Sequence, residues 1–375
     1  MSTVAVLGAG LMGRALAHDF CRQSNISSVI ITDISETRLK EAKKAVNSKK
    51  ATFELMDIQD KKALNKLLKS ADLAVGAVSY QFNAELTELC IKHGVHFLDL
   101  GGNDTIVDAQ FSMHKQALKN GVTIIPDCGL APGLAGILGM HVFRQFDSCD
   151  ELHLRVGGLP QNPQPPLNYM IVFSVHGLIN EYKEPVRVMT GGKVKTVPGM
   201  SGLEEIVFPK PFGKMEAFYT SGGVSTLVKT LKGKVKNLDY KTIRYQGHQE
   251  KIAFLMDMGF FDEEPNRLGL SPRDMTEEIL YNKLNLDDKD VILFRIWGEG
   301  KVGIKKVKKS FQCIDYFDES TGLTSMMRTT AFPAAIIANM ILTGDIKERG
   351  VLHQEEIVPV PLLLKELAKR KIKIT

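Results

Sequence analysis

The sequence predicts an α/β protein in which a doubly wound parallel sheet is followed by a second, α+β domain built on a large mixed sheet. Three observations carry that reading. An apolar strand, Val4-Ala5-Val6-Leu7, runs into Gly8-Ala9-Gly10-Leu11-Met12-Gly13 and a helix, and a second apolar run ends on Asp33 twenty residues after Gly13. Strand and helix patterns then alternate with short connections from residue 3 to residue 125, as a parallel sheet with helices on both faces requires. Beyond Gly133 the pattern becomes strand-rich, and 375 residues exceed what one compact core usually supports.

Strands are expected at 3–8, 28–33, 51–56, 72–77, 95–99 and 122–125, and helices at 11–23, 36–46, 60–69, 82–93 and 106–119. The first strand, turn and helix form the dinucleotide fingerprint of a Rossmann domain. Gly8 permits the tight turn, Gly10 lets backbone approach a pyrophosphate, and Gly13 lets helix and strand pack closely. The pyrophosphate would rest on the N–H groups of the helix that starts at Leu11 and Met12, at its positive dipole end. Asp33, at the tip of the second strand, is placed to accept from the adenosine ribose hydroxyls. Its charge repels a 2′-phosphate, which predicts NAD rather than NADP. Arg38 could reach a phosphate, but reads as a solvated charge on helix 36–46.

The second half begins with a helix near 133–146, a strand at 151–157 and a proline-rich corner from Gly157-Gly158-Leu159-Pro160 to Pro166. Val291–Trp297 and Ile304–Ile314 read as strands of one open mixed sheet, and Met326–Leu342 as a helix returning to the first domain. The expected division is 1–130 for the Rossmann domain, 131–323 for the second domain and 324–375 for C-terminal helices.

Bulk properties exclude several function classes. The net charge of +5 is mild, and the basic run from Lys365 to Lys373 reads as a solvated helix face. No basic patch with aromatic platforms points to nucleic acid. Five scattered cysteines (Cys21, Cys90, Cys128, Cys149, Cys313) offer neither a zinc site nor a disulfide framework. No apolar run approaches a membrane span. A chain that enters its first strand without a signal segment is expected in the cytoplasm.

Ligands of doubly wound sheets bind beyond the carboxyl ends of the strands. Those ends are Gly8–Gly13, Asp33, Asp57, Ala77–Tyr80, Asp99–Asn103 and Pro126–Gly133. Ala77, Val78 and Ser79 should neighbour the cofactor, as should Asp57, Gly101 and Pro132. Tyr80 is aimed at the nicotinamide or is a packing aromatic. Asp99 is a carboxylate for the site or a loop brace, with Asn103 close by for substrate. Cys128 has no adjacent histidine and reads as an inert thiol. In the second domain Arg244, at a strand end, offers a fork for a substrate carboxylate. His248, at a helix start, is a general base or a helix-capping histidine.

The ordered motifs from Val4 to about Leu342 resemble the saccharopine dehydrogenase-like family, most closely its lysine 6-dehydrogenase branch. The resemblance rests on Ser79-Tyr80-Gln81-Phe82-Asn83, Asp99-Leu100-Gly101-Gly102, Ile124-Ile125-Pro126-Asp127 and Leu130-Ala131-Pro132-Gly133. It continues through Val156-Gly157-Gly158-Leu159-Pro160, Pro165-Pro166-Leu167-Asn168-Tyr169, Thr220-Ser221-Gly222-Gly223, Lys241 through His248, and Gly322-Leu323-Thr324-Ser325-Met326 with Arg328-Thr329-Thr330. It implies NAD-dependent oxidative deamination of the ε-amine of L-lysine, giving a semialdehyde that cyclises to piperideine-6-carboxylate. It also adds Tyr169 to the substrate residues and implies a homodimer through the second domain's sheet. Val156 stands where saccharopine-forming reductases carry a cysteine before Gly-Gly-Leu-Pro, and Asp33 argues against the NADP those reductases favour. Both lean towards lysine.

Hydride can leave the ε-carbon only from a neutral amine, whereas free lysine's ammonium has a pKa of about 10.4. Tyr80 and Asp99 are the candidates for holding and deprotonating it. Two other readings compete: a saccharopine dehydrogenase acting on a lysine–glutamate adduct, and a protein that binds NAD as a sensor without chemistry.

Overall fold

The computed structural model describes all residues 1–375. Its first half alternates β1 (Ser2–Leu7), α1 (Leu11–Phe20), β2 (Ile26–Asp33), α2 (Glu36–Val46), β3 (Ala51–Leu55), α3 (Lys61–Leu68), β4 (Leu73–Gly76), α4 (Asn83–His93), β5 (His96–Asp99), α5 (Asp104–Ser112), α6 (His114–Lys119) and β6 (Thr123–Ile125). Val4 through Leu7 are completely buried, as a continuous apolar run in a parallel strand covered on both faces should be. The helix expected over 106–119 is two, because the backbone breaks at Met113 (φ −87°, ψ 4°).

From α7 (Leu134–Phe143) the chain enters β7 (Ser148–Pro160), α8 (Val175–Lys183), β8 (Val186–Thr190), β9 (Lys193–Val197), β10 (Glu204–Phe208) and β11 (Gly213–Tyr219). There follow α9 (Leu227–Thr230), β12 (Val235–Tyr245), α10 (His248–Asp257), α11 (Pro272–Leu284), β13 (Asp290–Val302) and β14 (Lys305–Tyr316). The tail is α12 (Ser325–Thr343), β15 (Gly350–Val351), α13 (Gln354–Ile357) and α14 (Val360–Lys369).

The first sheet has seven parallel strands in the order β15-β6-β5-β4-β1-β2-β3. Its seventh strand comes from the tail, where the sequence suggested only helices; two residues are too few to display a period. The second sheet has eight strands, ordered β10-β11-β12-β7-β13-β14, with the β8-β9 hairpin attached to β12. It is mixed, since β12 runs parallel to β7 while β13 runs antiparallel to it.

One apolar cluster of 59 buried residues runs from Val4 and Val29 through α12 and α7 to Leu154 and Phe294. The two sheets therefore share a core, and the carboxyl ends of the first are held facing the second. Ser174 starts α8 by accepting from the Gly177 N–H (3.1 Å). Val175, Leu178, Ile179 and Tyr182 then form its buried stripe. No helix is long and apolar enough to cross a membrane.

Candidate active site

The glycine turn after β1 is shaped by contact. A Cβ on Gly13 would lie 1.8 Å from the Gly8 carbonyl oxygen, and one on Gly8 (φ +109°) 2.5 Å from that of Ala77 and 3.1 Å from Val78 Cγ1. A Cβ on Gly10 would meet nothing within 4 Å. The turn thus leaves open space over the first turn of α1, which has neither a capping side chain nor an acid to claim its N–H groups. An anionic pyrophosphate fits that cradle. Leu11 is exposed there and Met12 lines the adjoining cavity.

Asp33 is 7% exposed, and its two oxygens accept from the Ala9 and Ser35 backbone N–H groups, each at 2.8 Å. It braces the turn. Arg38 pairs loosely with Asp33 at 4.0 Å, and its side chain is 61% exposed. Asp57, half-buried, accepts from the Gln59 N–H (2.9 Å) and shapes its own turn.

Several predicted site residues have local duties instead. Asp99 is buried; Oδ1 accepts from the Gly101 and Asp127 N–H groups (3.0 Å each) and Oδ2 from Gln110 Nε2 (2.7 Å). It does not line the cavity, and the role of base expected for it is corrected to that of a brace. Asn103 caps α5 by accepting from the Ile106 N–H (3.0 Å). Tyr80 sits half-buried in a single 3-10 turn beside Gly102, outside the cavity lining, and Ser79 before it is exposed. Gly101 (φ +137°) packs on Pro132, whose Cγ would be 3.0 Å from a Cβ there.

Asp127 completes this brace. Fully buried at φ +61°, it accepts from the Gly102 N–H (3.0 Å) and from the Ser225 hydroxyl. Burial first, and then the charge of Asp99, push its carboxyl up to about 8. The folded protein therefore holds a proton here that the unfolded chain releases near the ordinary carboxylate value of about 4. Its stabilising contribution is complete below that value and is lost as pH rises towards 8. Asn is the neutral counterpart and tolerates positive φ. The thermal midpoint of the wild type should fall between about pH 4 and pH 8, and that of Asp127→Asn should fall less. Parallel declines in the two proteins would contradict the assignment.

Between the strand ends and the second sheet lies a cavity of ≈ 200 Å³. Met12, Leu100, Leu130 and Ala131 wall it on the first side. Tyr240, Thr242 and Arg244 wall it on the other; alternating along β12, they share one face. Arg244 is 2% exposed. Its Nη1 donates to Thr242 Oγ1 (2.8 Å) and the Ile243 carbonyl (2.9 Å), and its Nε to the Tyr182 hydroxyl (3.0 Å). The guanidinium lies 4.7 Å from the centre of the Tyr169 ring. Nη2 takes no protein acceptor. Two donors remain for a ligand.

His248 fixes this arrangement from behind. Its Nδ1 faces the Leu167 carbonyl and its Nε2 the Tyr182 hydroxyl, both at 3.0 Å. A carbonyl can only accept, so Nδ1 donates, Nε2 accepts the Tyr182 proton, and the Tyr182 oxygen is left to accept from Arg244. Burial, then the nearby Arg244 charge, lower the imidazole to about 3. His248 is thus neutral with both nitrogens engaged, a positioning residue, and the expectation of a general base is corrected.

Glu181 and Tyr182, in the last turn of α8, were not among the residues picked out from the sequence. Ser174 followed by the 175/178/179/182 apolar spacing was the available signal. Glu181 lines the cavity, and its carboxylate accepts no hydrogen bond from the protein. Burial raises it to about 7 against the opposing pull of Arg244.

Comparison with known proteins gives this geometry a context. Residues 129–372 match the saccharopine dehydrogenase C-terminal domain, and residues 4–125 the saccharopine dehydrogenase NADP binding domain. The chain is 22% identical to mitochondrial alpha-aminoadipic semialdehyde synthase of Mus musculus, over 93% of its own length and 45% of that protein's. It is 25% identical to saccharopine dehydrogenase (NADP(+), L-glutamate-forming) of Saccharomyces cerevisiae, over 58% of this chain and 50% of that one. It spans about half the length of these curated relatives. The solved structure of apo saccharopine dehydrogenase (L-Glu forming) from Saccharomyces cerevisiae matches with a TM-score of 0.84 at 19% identity, covering 100% of this chain and 99% of that one. That likeness is one of fold.

The comparisons overturn the expectation of NAD. The matching first-domain family is an NADP-binding one, and the yeast relative is an NADP(+) enzyme. In the structure each Asp33 oxygen accepts one backbone N–H, from Ala9 or Ser35, so the carboxylate braces the turn, and the exposed Arg38 stands 4.0 Å from it.

Proposed function

The chain belongs to the saccharopine dehydrogenase family, and on that premise we propose that it oxidises the ω-amine of an amino acid, with L-lysine as substrate and NADP as hydride acceptor. The observation that carries this reading is the free Nη2 of Arg244, the one cationic side chain lining the cavity. A carboxylate suits that fork. With the lysine carboxylate held there, the ε-carbon lies about 5 Å beyond the α-carbon by standard bond lengths, directed along the cavity to the strand ends. Ornithine, one methylene shorter, should react poorly.

When bound, the dinucleotide supplies the hydride acceptor. The glycine turn and the first turn of α1 would hold its pyrophosphate, and Arg38 its 2′-phosphate. Arg38→Ala should raise the KM for NADP⁺ roughly tenfold or more, the value of one lost charged contact, and leave that for NAD⁺ unchanged. Equal effects on both would remove Arg38 from the phosphate site. Met12, Leu100, Leu130 and Ala131 supply no base at the reacting end. Their apolar surface disfavours the ammonium form of the ε-amine, and its proton leaves to solvent. kcat/KM should therefore climb with pH above neutrality, as the ε-ammonium of pKa about 10.4 begins to lose its proton; a profile flat above neutral pH would require an internal base.

A second reading, oxidation of saccharopine, is favoured by the likeness to the yeast enzyme. Saccharopine's additional dicarboxylate would need further cations, and the cavity lining offers none besides Arg244. The deciding experiment supplies lysine, ornithine or saccharopine as sole amine and follows the absorbance of reduced cofactor. Turnover of lysine without glutamate or 2-oxoglutarate supports the first reading. Turnover of saccharopine alone supports the second.

A further inference from the structure

Glu181 is a carboxylate in the cavity wall with no donor from the protein, close enough to Arg244 to feel its charge yet forming no salt bridge with it. Tyr169 and Tyr240 line the same cavity, and neither hydroxyl donates to the Glu181 carboxylate. An isolated carboxylate in such a place is costly unless a cation joins it. The cavity thus presents one unsatisfied cationic fork and one unsatisfied anion on the second-sheet side. This matches the charge pattern of an amino acid's own head: an α-carboxylate and an α-ammonium on one carbon.

We propose that Glu181 binds the α-ammonium of the substrate while Arg244 binds its α-carboxylate, so that the pocket selects a free α-amino acid and leaves the distal amine to the strand ends. This rests on the ω-amine reading above and deepens it. A ligand with the carboxylate but no α-amine leaves Glu181 unpaired in the cavity wall, and sites built around such polar groups reject analogues that lack the partner.

The test compares L-lysine with 6-aminohexanoate, which has the same chain and carboxylate but no α-amine, in the wild type and in Glu181→Gln. Turnover is followed with NADP⁺, and binding by titration calorimetry in the presence of NADP⁺. The wild type should prefer lysine about 10- to 150-fold in kcat/KM, the range for a charged hydrogen bond. Glu181→Gln should lose most of that preference by weakening lysine, with 6-aminohexanoate unchanged or improved. If the variant does not fold, the wild type still decides: equal kcat/KM for lysine and 6-aminohexanoate overturns the proposal. An undiminished preference in a folded Glu181→Gln also overturns it, while lysine oxidation stands. A wild type that neither binds nor oxidises either compound overturns the ω-amine reading and this proposal together.

Discussion

Arg244→Ala is expected to raise the KM for lysine about a hundredfold or more while kcat falls little. The guanidinium is buried, and its orientation is set from Leu167 through His248 and Tyr182, with Thr242 and Ile243 holding Nη1. The ligand gains a charge-assisted contact whose geometry is fixed before it arrives, worth roughly 2–5 kcal/mol when one partner is truncated. Because the carboxylate is remote from the reacting carbon, the contact should be equal in ground and transition states, and its loss should fall on KM. Cadaverine, which has no carboxylate, is the internal control: its kinetics should not change between the two proteins. Arg244→Lys should rescue only part of the loss, since an ammonium keeps the charge but cannot serve Tyr182, Thr242 and a ligand at once. An unchanged lysine KM in Arg244→Ala would sink the clamp.

The second large effect belongs to the glycine turn, where two neighbouring glycines should respond differently. Gly13→Ala places a methyl 1.8 Å from the Gly8 carbonyl oxygen, a backbone atom that can yield only if α1 separates from β1. Overpacking of this kind costs on the order of 1–3 kcal/mol, enough to lower the melting temperature by roughly 1–4 °C in a protein of this size. It should also abolish dinucleotide binding. Gly10→Ala introduces its methyl into open space at φ −66°, a conformation alanine accepts. Its melting temperature should match the wild type while its affinity for NADPH falls, because the space is occupied only when a pyrophosphate is present. Thermal denaturation with and without NADPH separates the two. Equal melting temperatures for Gly13→Ala and the wild type would contradict the packing role.

The same turn marks how far the sequence could be read. Gly8, Gly10 and Gly13 announce their geometry because each acts on residues next to it in the chain or on the adjoining strand. Arg244 was legible as a site cation from its place at a strand end, and the structure puts it in the cavity wall. His248 was legible as a site histidine but not in its role, because its two partners, Leu167 and Tyr182, lie 81 and 66 residues away. Asp99 has a comparable history: its brace includes the Asp127 N–H, 28 residues on, and only the fold joins them. Asp33 misled about the cofactor because its spacing from Gly13 is that of a ribose acceptor, while its bonds to Ala9 and Ser35 depend on side-chain rotamer. Glu181 was overlooked because α8 is a short helix within strand-rich sequence. It lines, together with Arg244, a cavity that neither segment forms alone.

The most direct measurement uses L-lysine deuterated on carbon 6 as the sole amine, with NADP⁺, and follows the label into the reduced dinucleotide by mass spectrometry. Deuterated NADPH formed without glutamate or 2-oxoglutarate is the predicted result. It would place the ε-carbon of free lysine at the hydride acceptor. Failure of lysine to reduce the cofactor while saccharopine does, or reduced cofactor that carries no label, would contradict oxidation of the lysine ε-carbon.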